Sequence, residues 1–301
     1  MSEVKKLKEQ VKEFLLTRYR LGGLINSDIK NLNFYISDKT HSMISTIHEP
    51  SICIILQGAK SVSFDDRMFE YNENTYLLTP THIPLNVSLT RASSAVPYVS
   101  LSLKFSLEEV YEVLKNIDLD YKILQKNQKG LFLSELNDEL LEPVLRLVLL
   151  LKKPQKSVKF LAELVKKEIL YLLVTCEKSG AFLRDFAYKG SSANKISQAV
   201  SLIKQNFSDK LSVKELAKDC DMSESSFYQH FKMITSLSPL AFQKKIRLEE
   251  ARNLLCMQKG SVSQVAYDVG YESASQFSRE YSRMFGVSPK QDCKILSSSL
   301  A

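Results

Sequence analysis

Apolar positions change their spacing twice along this chain, and each change marks a different kind of structure. Val4, Leu7, Val11, Phe14 and Leu15 recur at helical intervals, which predicts an amphipathic helix at the start. From about Leu32 to Lys104 the texture becomes strand-like, with runs at 51–56, 60–64, 75–78, 85–89 and 98–103. Gly58, Asp65-Asp66, Asn72-Glu73-Asn74 and Pro80 to Pro84 separate them, and many short strands with turn residues between predict a sandwich or small barrel. No helix-length segment intervenes, which disfavours a parallel βαβ arrangement. Helical spacing returns at 107–117, where Ser106 and Glu109 form a capping box, and again at 140–151 and 158–176. The stripe Val158, Leu161, Val165, Leu172 and Cys176 has two readings, a cover for the sheet or part of a homodimer seam. Such stripes mostly face their own domain.

Beyond Gly190 the chain repeats itself. Ser212-Val213-Lys214-Glu215-Leu216-Ala217, Asp221, Phe227, Phe231 and Ser238-Pro239 return as Ser261-Val262-Ser263-Gln264-Val265-Ala266, Gly270, Phe277, Tyr281 and Ser288-Pro289. Each copy reads as a short helix, a tight turn and a second helix, the pattern that lays its second helix in the DNA major groove. Ser212 with Glu215, Ser261 with Gln264 and Ser273 with Gln276 have capping-box spacing. Gly270 suits a left-handed turn, and Asp221 tolerates one less well. Between the copies, Pro239 to Leu255 is apolar at helical spacing through Ile246, Leu248, Ala251 and Leu254, a connector that fixes the mutual rotation of the two units.

Ser238-Pro239, Arg247-Leu248-x-x-Ala251-x-x-Leu254-Leu255, Gly270-Tyr271 and Phe277-Ser278-Arg279-x-Tyr281-x-x-x-Phe285-Gly286-x-Ser288-Pro289 resemble the signature of AraC/XylS transcriptional regulators. Upstream, Pro50-Ser51-Ile52-Cys53-Ile54-Ile55-Leu56-Gln57-Gly58-Ala59-Lys60 and Phe69-Glu70-Tyr71 resemble the cupin-like N-terminal domain of one subgroup of them. The chain departs from that pattern at Asn74, usually Gly, and at His82, commonly acidic. The implied fold is α+β in two domains: a cupin-like β-barrel with flanking helices over 1–188, and an all-α tandem helix-turn-helix domain over 195–301. Lys189 to Asn194, small and polar, reads as a flexible linker. The resemblance implies a sequence-specific regulator with four partners: promoter DNA, RNA polymerase, a small-molecule effector of unknown identity, and a second copy in a homodimer. Effector-binding residues are not singled out.

If Phe227, Phe231 and Ile234 face inward, then Glu224, Ser225, Tyr228, Gln229 and Lys232 face outward. In the second unit Phe277, Tyr281 and Phe285 leave Ala274, Ser275, Ser278, Arg279 and Ser282 outward. These match the family's base-reading positions. Arg279 suits guanine O6 and N7, and Gln229 suits adenine N6 and N7. Ser275, Ser278 and Lys232 read as adaptable or phosphate contacts. Tyr228 either contacts DNA or packs over the turn, Lys244 and Lys245 contact phosphate or line a solvated face, and Arg247 has no role fixed by spacing.

Charge alone says little, since 190–301 holds 15 Lys/Arg against 11 Asp/Glu and the upstream part 26 against 23. Residues 1–12 are charged and lack a long apolar core, so no signal peptide is expected. The longest apolar run, 147–151, is far too short for a bilayer, and the expected location is the cytoplasm without membrane contact. Five scattered cysteines suit reduced thiols, although Cys53 and Cys176 leave a redox sensor open. A metal-dependent cupin enzyme is the alternative function. The four histidines, His41, His48, His82 and His230, lack the His-x-His pattern with a downstream Glu, so neither a metal nor another cofactor is expected.

Overall fold

The computed structural model describes residues 2–117, 129–257 and 260–293. Helix α1 (Glu3–Arg18) precedes nine strands: β1 (Gly23–Asn26), β2 (Leu32–Ser37), β3 (His41–His48), β4 (Ser51–Gln57), β5 (Ala59–Phe64), β6 (Arg67–Asn72), β7 (Thr75–Thr79), β8 (Ile83–Arg91) and β9 (Tyr98–Lys104). Helix α2 (Leu107–Leu114), strand β10 (Phe132–Glu135) and helices α3 (Asp138–Leu149), α4 (Gln155–Thr175) and α5 (Ser179–Ala187) follow. The remainder is helical: α6 (Ser192–Gln205), α7 (Val213–Asp219), α8 (Glu224–Thr235), α9 (Pro239–Cys256), α10 (Val262–Asp268) and α11 (Ala274–Phe285).

The strands form two antiparallel sheets, in the orders β1-β2-β9-β4-β7-β10 and β3-β8-β5-β6. They face one another without closing into a continuous barrel. Alternation along each strand explains the layering. On β9, Val99, Leu101 and Leu103 join the cluster beneath the helices, while Tyr98, Ser100, Ser102 and Lys104 line the space between the sheets. That space has an apolar part, with Val62, Phe64, Leu85, Val87 and Leu89 packed on Ile55 and Leu77. Asn74, in the β6–β7 turn, is absent from the residues with positive φ, and its amide bonds Asn72 Oδ1 at 3.0 Å. Glycine is therefore not required there.

The outer face of the larger sheet is covered by α1 and by the helices that follow the strands. Val158 and Val165 of α4 are buried, with Leu161 and Leu172 packed against the same cluster. This apolar cluster does not stop at Ala187. It runs on through Ile196 and Val200 of α6 to Phe227 and Phe231 of α8 and to Phe242 and Ile246 of α9.

Half of the stretch expected to be a flexible linker is helix, since α6 already includes Ser192, Ala193 and Asn194. Ser191 caps α6 by accepting from the Asn194 amide at 3.0 Å, and its hydroxyl bonds the Asp185 carbonyl. Asn194 Nδ2 donates to the Phe186 carbonyl at 2.8 Å, and Ala193 and Asn194 are buried. Small polar residues here bury little apolar area but satisfy free carbonyls near the end of α5. What remains of a linker is the turn at Lys189 and Gly190, where Gly190 takes φ +92°.

Candidate nucleic-acid interface

Both helix-turn-helix units form as the repeat predicts. Helices α7 and α10 span seven residues each, too short to persist alone. Caps contribute about 1 kcal/mol each. A fully buried Phe contributes about 1.5–3 kcal/mol, so packing decides. Phe227 and Phe231 anchor the first unit, and Phe277 and Tyr281 the second, all essentially without exposure. Ser212, Ser261 and Ser273 cap their helices through the amides of Glu215, Gln264 and Gln276. Among the described residues the return half of the capping box is absent from these three helices, although Ser106 and Glu109 form both halves at the start of α2. The Gln264 and Gln276 amides turn forward one helical turn, to Asp268 and Glu280.

The turns are fixed by close packing. Gly270 takes φ +90°, and a Cβ there would lie 2.2 Å from the Ser208 carbonyl oxygen. Asp221 takes the matching left-handed place in the first unit, at φ 48°. Arg247, whose role the sequence left open, is an internal staple. Its guanidinium donates to the carbonyls of Phe207 (2.7 Å), Gly270 (2.8 Å), Ser208 (3.0 Å) and Asp209 (2.9 Å). Four carbonyls from the α6–α7 loop and the second turn thus converge on α9, the helix between the units.

On α8, Glu224, Ser225, Tyr228, Gln229 and Lys232 are all exposed, and Tyr228 retains 47% of its surface. On α11, Ser275 and Arg279 are exposed while Ala274, Ser278 and Ser282 are half-buried. Ser278 and Ser282 turn their hydroxyls back to the carbonyls of Ala274 and Ser278, at 2.9 and 2.8 Å. Among the described residues Arg279 has neither an ion pair nor a hydrogen bond, since its neighbour Glu280 takes Tyr271 (2.8 Å) and Lys244 (3.4 Å). Lys244 is therefore engaged. Lys245 is half-buried, and burial lowers its amine to about 8.

Behind these helices lies a cavity of about 520 Å³ between the two sheets, with α9 at its mouth. Lys60, His48, Cys53, Tyr71, Tyr98, Ser100 and Ser102 line it from the strands, and Ile246, Glu249, Glu250 and Asn253 from α9. Burial, reinforced by the Lys60 charge, lowers His48 to about 3 and keeps it neutral. Burial pushes the Cys53 thiol up, which suppresses the thiolate a redox sensor needs. At the rim, Glu49 pairs with Lys104 and with Lys204 of α6 (2.9 Å), and Lys204 also meets His82 Nε2 at 2.8 Å. Burial raises the Glu49 carboxyl, but the two lysines outweigh it and hold it at about 2. Among the described residues no group of three or more His, Cys, Asp and Glu is placed to hold a metal ion.

Two family models match the chain: "AraC-type transcriptional regulator N-terminus" over residues 28–181, and "Helix-turn-helix domain" over 216–294. The first alone covers half of the sequence. The chain belongs to the AraC-type transcriptional regulators. Among relatives, it is 32% identical over 103 residues to the HTH-type transcriptional regulator ArgR of Pseudomonas aeruginosa, covering 34% of this chain and 31% of that one. It is 26% identical over 188 residues to the transcriptional activator RhaS of Salmonella schwarzengrund, covering 60% and 64%. The matches therefore span less than two thirds of these relatives' length. Among solved structures, unsaturated fatty acid-bound ToxT of Vibrio cholerae shares the fold over 93% of this chain and 98% of its own, with TM-score 0.61 and 15% identity.

In this AraC-type regulator the cavity lining is what the sequence analysis did not identify. Its signal was nevertheless present. On β5 the inward row reads Lys60, Val62, Phe64, a lysine where a core residue is due, and on β9 polar and apolar residues alternate without a break.

Proposed function

We propose that the chain is a sequence-specific, DNA-binding transcriptional regulator, acting in the cytoplasm. Residues 195–301 bind promoter DNA and residues 1–188 bind a small-molecule effector. The observation that carries this reading is the pair of outward rows on α8 and α11, held by one connecting helix that also lines the cavity. Glu224, Ser225, Tyr228, Gln229 and Lys232 contact DNA from the first unit, and Ala274, Ser275, Ser278, Arg279 and Ser282 from the second. Arg279 is the principal base contact, because its guanidinium is exposed and uncommitted. ToxT binds an unsaturated fatty acid in a chain of the same fold, which supports an effector role for the N-terminal half here. A volume near 520 Å³ suits a small ligand.

RNA polymerase is the partner at the promoter. A second copy pairs through the outer face of α4, where Phe160 is 70% exposed and Leu164 and Tyr171 lie on the same side. No described helix is long and apolar enough to cross a membrane. Among the described residues the cavity's histidine, His48, belongs to no group of three or more His, Cys, Asp and Glu placed to hold a metal ion.

Selection of duplexes from a random pool by the full chain tests the reading, followed by two substitutions. Arg279→Ala should weaken the selected site by about 1–3 kcal/mol and relax preference at one base pair. Lys232→Ala should weaken all sequences alike and flatten the salt dependence. Unchanged affinity and base preference in Arg279→Ala would remove Arg279 from the interface, and failure to enrich any sequence would refute the reading.

A further inference from the structure

Helix α4 is capped at its end by Cys176, and α5 begins three residues later at Ser179. Phe182 of α5 stacks on Phe132 of β10 with ring centroids 5.2 Å apart, which holds the start of α5 over that edge strand. The corner between the helices is tight. The Gly180 amide donates to the Cys176 carbonyl at 2.8 Å, and a Cβ at Gly180 would lie 2.3 Å from the Val174 carbonyl oxygen. Closing this far turns the amides of Ser179 and Lys178 toward the half-buried Cys176 sulfur. Burial works against ionisation of the thiol, but the amides and the Lys178 charge outweigh it and lower it below its usual value. Burial pushes Cys53, Cys220 and Cys256 the other way.

Tyr76 of β7 faces the same corner from the sheet. It lies opposite Ser134 of β10 and is only 1% exposed. Its hydroxyl stands beside Cys176, Ser179 and Ser134, yet among the described residues it has no hydrogen-bond partner. A buried phenol usually finds one, since an unmet donor gives up water and gains nothing in return. The Ser179 hydroxyl does not supply it, because it donates to the Leu173 carbonyl at 3.1 Å. An oxygen atom added to the sulfur would meet the Tyr76 donor from the sheet side and the amides from the helix side.

We propose that Cys176 is a site of oxidation by hydroperoxides, its sulfenic oxygen held between the Tyr76 hydroxyl and the amides that open α5. The thiolate sulfur attacks one oxygen of hydrogen peroxide, and the S–O bond forms as the O–O bond breaks. Sulfur gives up two electrons, and the hydroxide that leaves takes a proton from solvent to become water. This property belongs to the N-terminal half and stands whether or not the chain binds DNA.

The full chain is exposed to equimolar hydrogen peroxide, and sulfenic acids are trapped with dimedone and located by peptide mass spectrometry. With dimedone present from the start, Cys176 should be labelled at least fivefold faster than Cys53, Cys220, Cys256 or Cys293. With dimedone added after catalase has removed the peroxide, the label reads how long the sulfenic acid survives. Tyr76→Phe keeps the ring and removes only the unpartnered hydroxyl. It should cut that survival at least threefold while leaving alkylation of Cys176 by iodoacetamide within twofold. Equal labelling of all five cysteines, faster labelling elsewhere, or no label on Cys176 would overturn the proposal. So would a sulfenic acid that survives equally well in Tyr76→Phe.

Discussion

Glu249 sits where α9 packs on β3, and burial raises its carboxyl to about 7. Lys245, one turn earlier, attracts it, yet burial prevails for both, since the lysine is lowered to about 8. In an unfolded chain this carboxyl titrates near its ordinary value of 4.5. The folded chain therefore holds the proton more tightly, and this group's contribution falls as pH rises from about 4.5 through about 7. Replacing it by an uncharged isostere removes that loss. Glu249→Gln should be more stable than the parent by on the order of 1–3 kcal/mol at pH 8, with little difference at pH 5. Comparing the two chains by urea unfolding isolates this residue from His48 and His82, whose depressed values act in the opposite direction. A parallel pair of pH profiles would mean that the carboxylate is hydrated in the folded chain.

At the scale of elements, α9 sets the geometry of the interface. Its buried residues Phe242 and Ile246 serve the first unit's core, and Leu248, Ala251 and Leu255 serve the second's. Arg247 between them ties the α6–α7 loop and the second turn to the same helix. Units held this way should contact segments of duplex about 10–10.5 bp apart. Five base pairs inserted between the two segments would turn one to the far side, and binding should fall toward that of one unit. Footprints across an insertion series would show this, and a site that tolerates five extra pairs would mean that α9 bends. These elements were legible in the sequence because each is marked locally, by Ser212, Ser261 and Ser273 as caps, by Gly270 at its turn and by aromatic residues at helical spacing. The partners of Arg247 were not legible. They are carbonyls, which every residue carries, so no side chain marks them. The run from Ser191 to Asn194 misled for a related reason: residues that make a linker flexible also cap helices well.

Across the whole molecule, the N-terminal half grips the DNA-binding units from behind. Strand β3 touches both α9 and α11. Beside the first unit, the Gly130 amide donates to the Ile234 carbonyl at 3.0 Å, in the last turn of α8. A Cβ at Gly130 would fall 2.4 Å from Ile83 Cδ1 and 2.5 Å from that carbonyl oxygen. Ile83 can shift its methyl; the helix carbonyl cannot move without shifting α8. With the shared core through Ile196, Phe227 and Phe242, this closeness ties the outward row of α8 to the sheets that enclose the cavity. The two halves should therefore unfold together, and the intact chain should melt in a single calorimetric transition. Gly130→Ala should destabilise it by about 1–3 kcal/mol, the usual range for overpacking. Amide exchange should quicken in the last turn of α8, while the second unit, with its separate core around Phe277 and Tyr281, keeps its protection. An alanine variant with unchanged melting and unchanged exchange at Ile234 would show that the strap does not couple the halves.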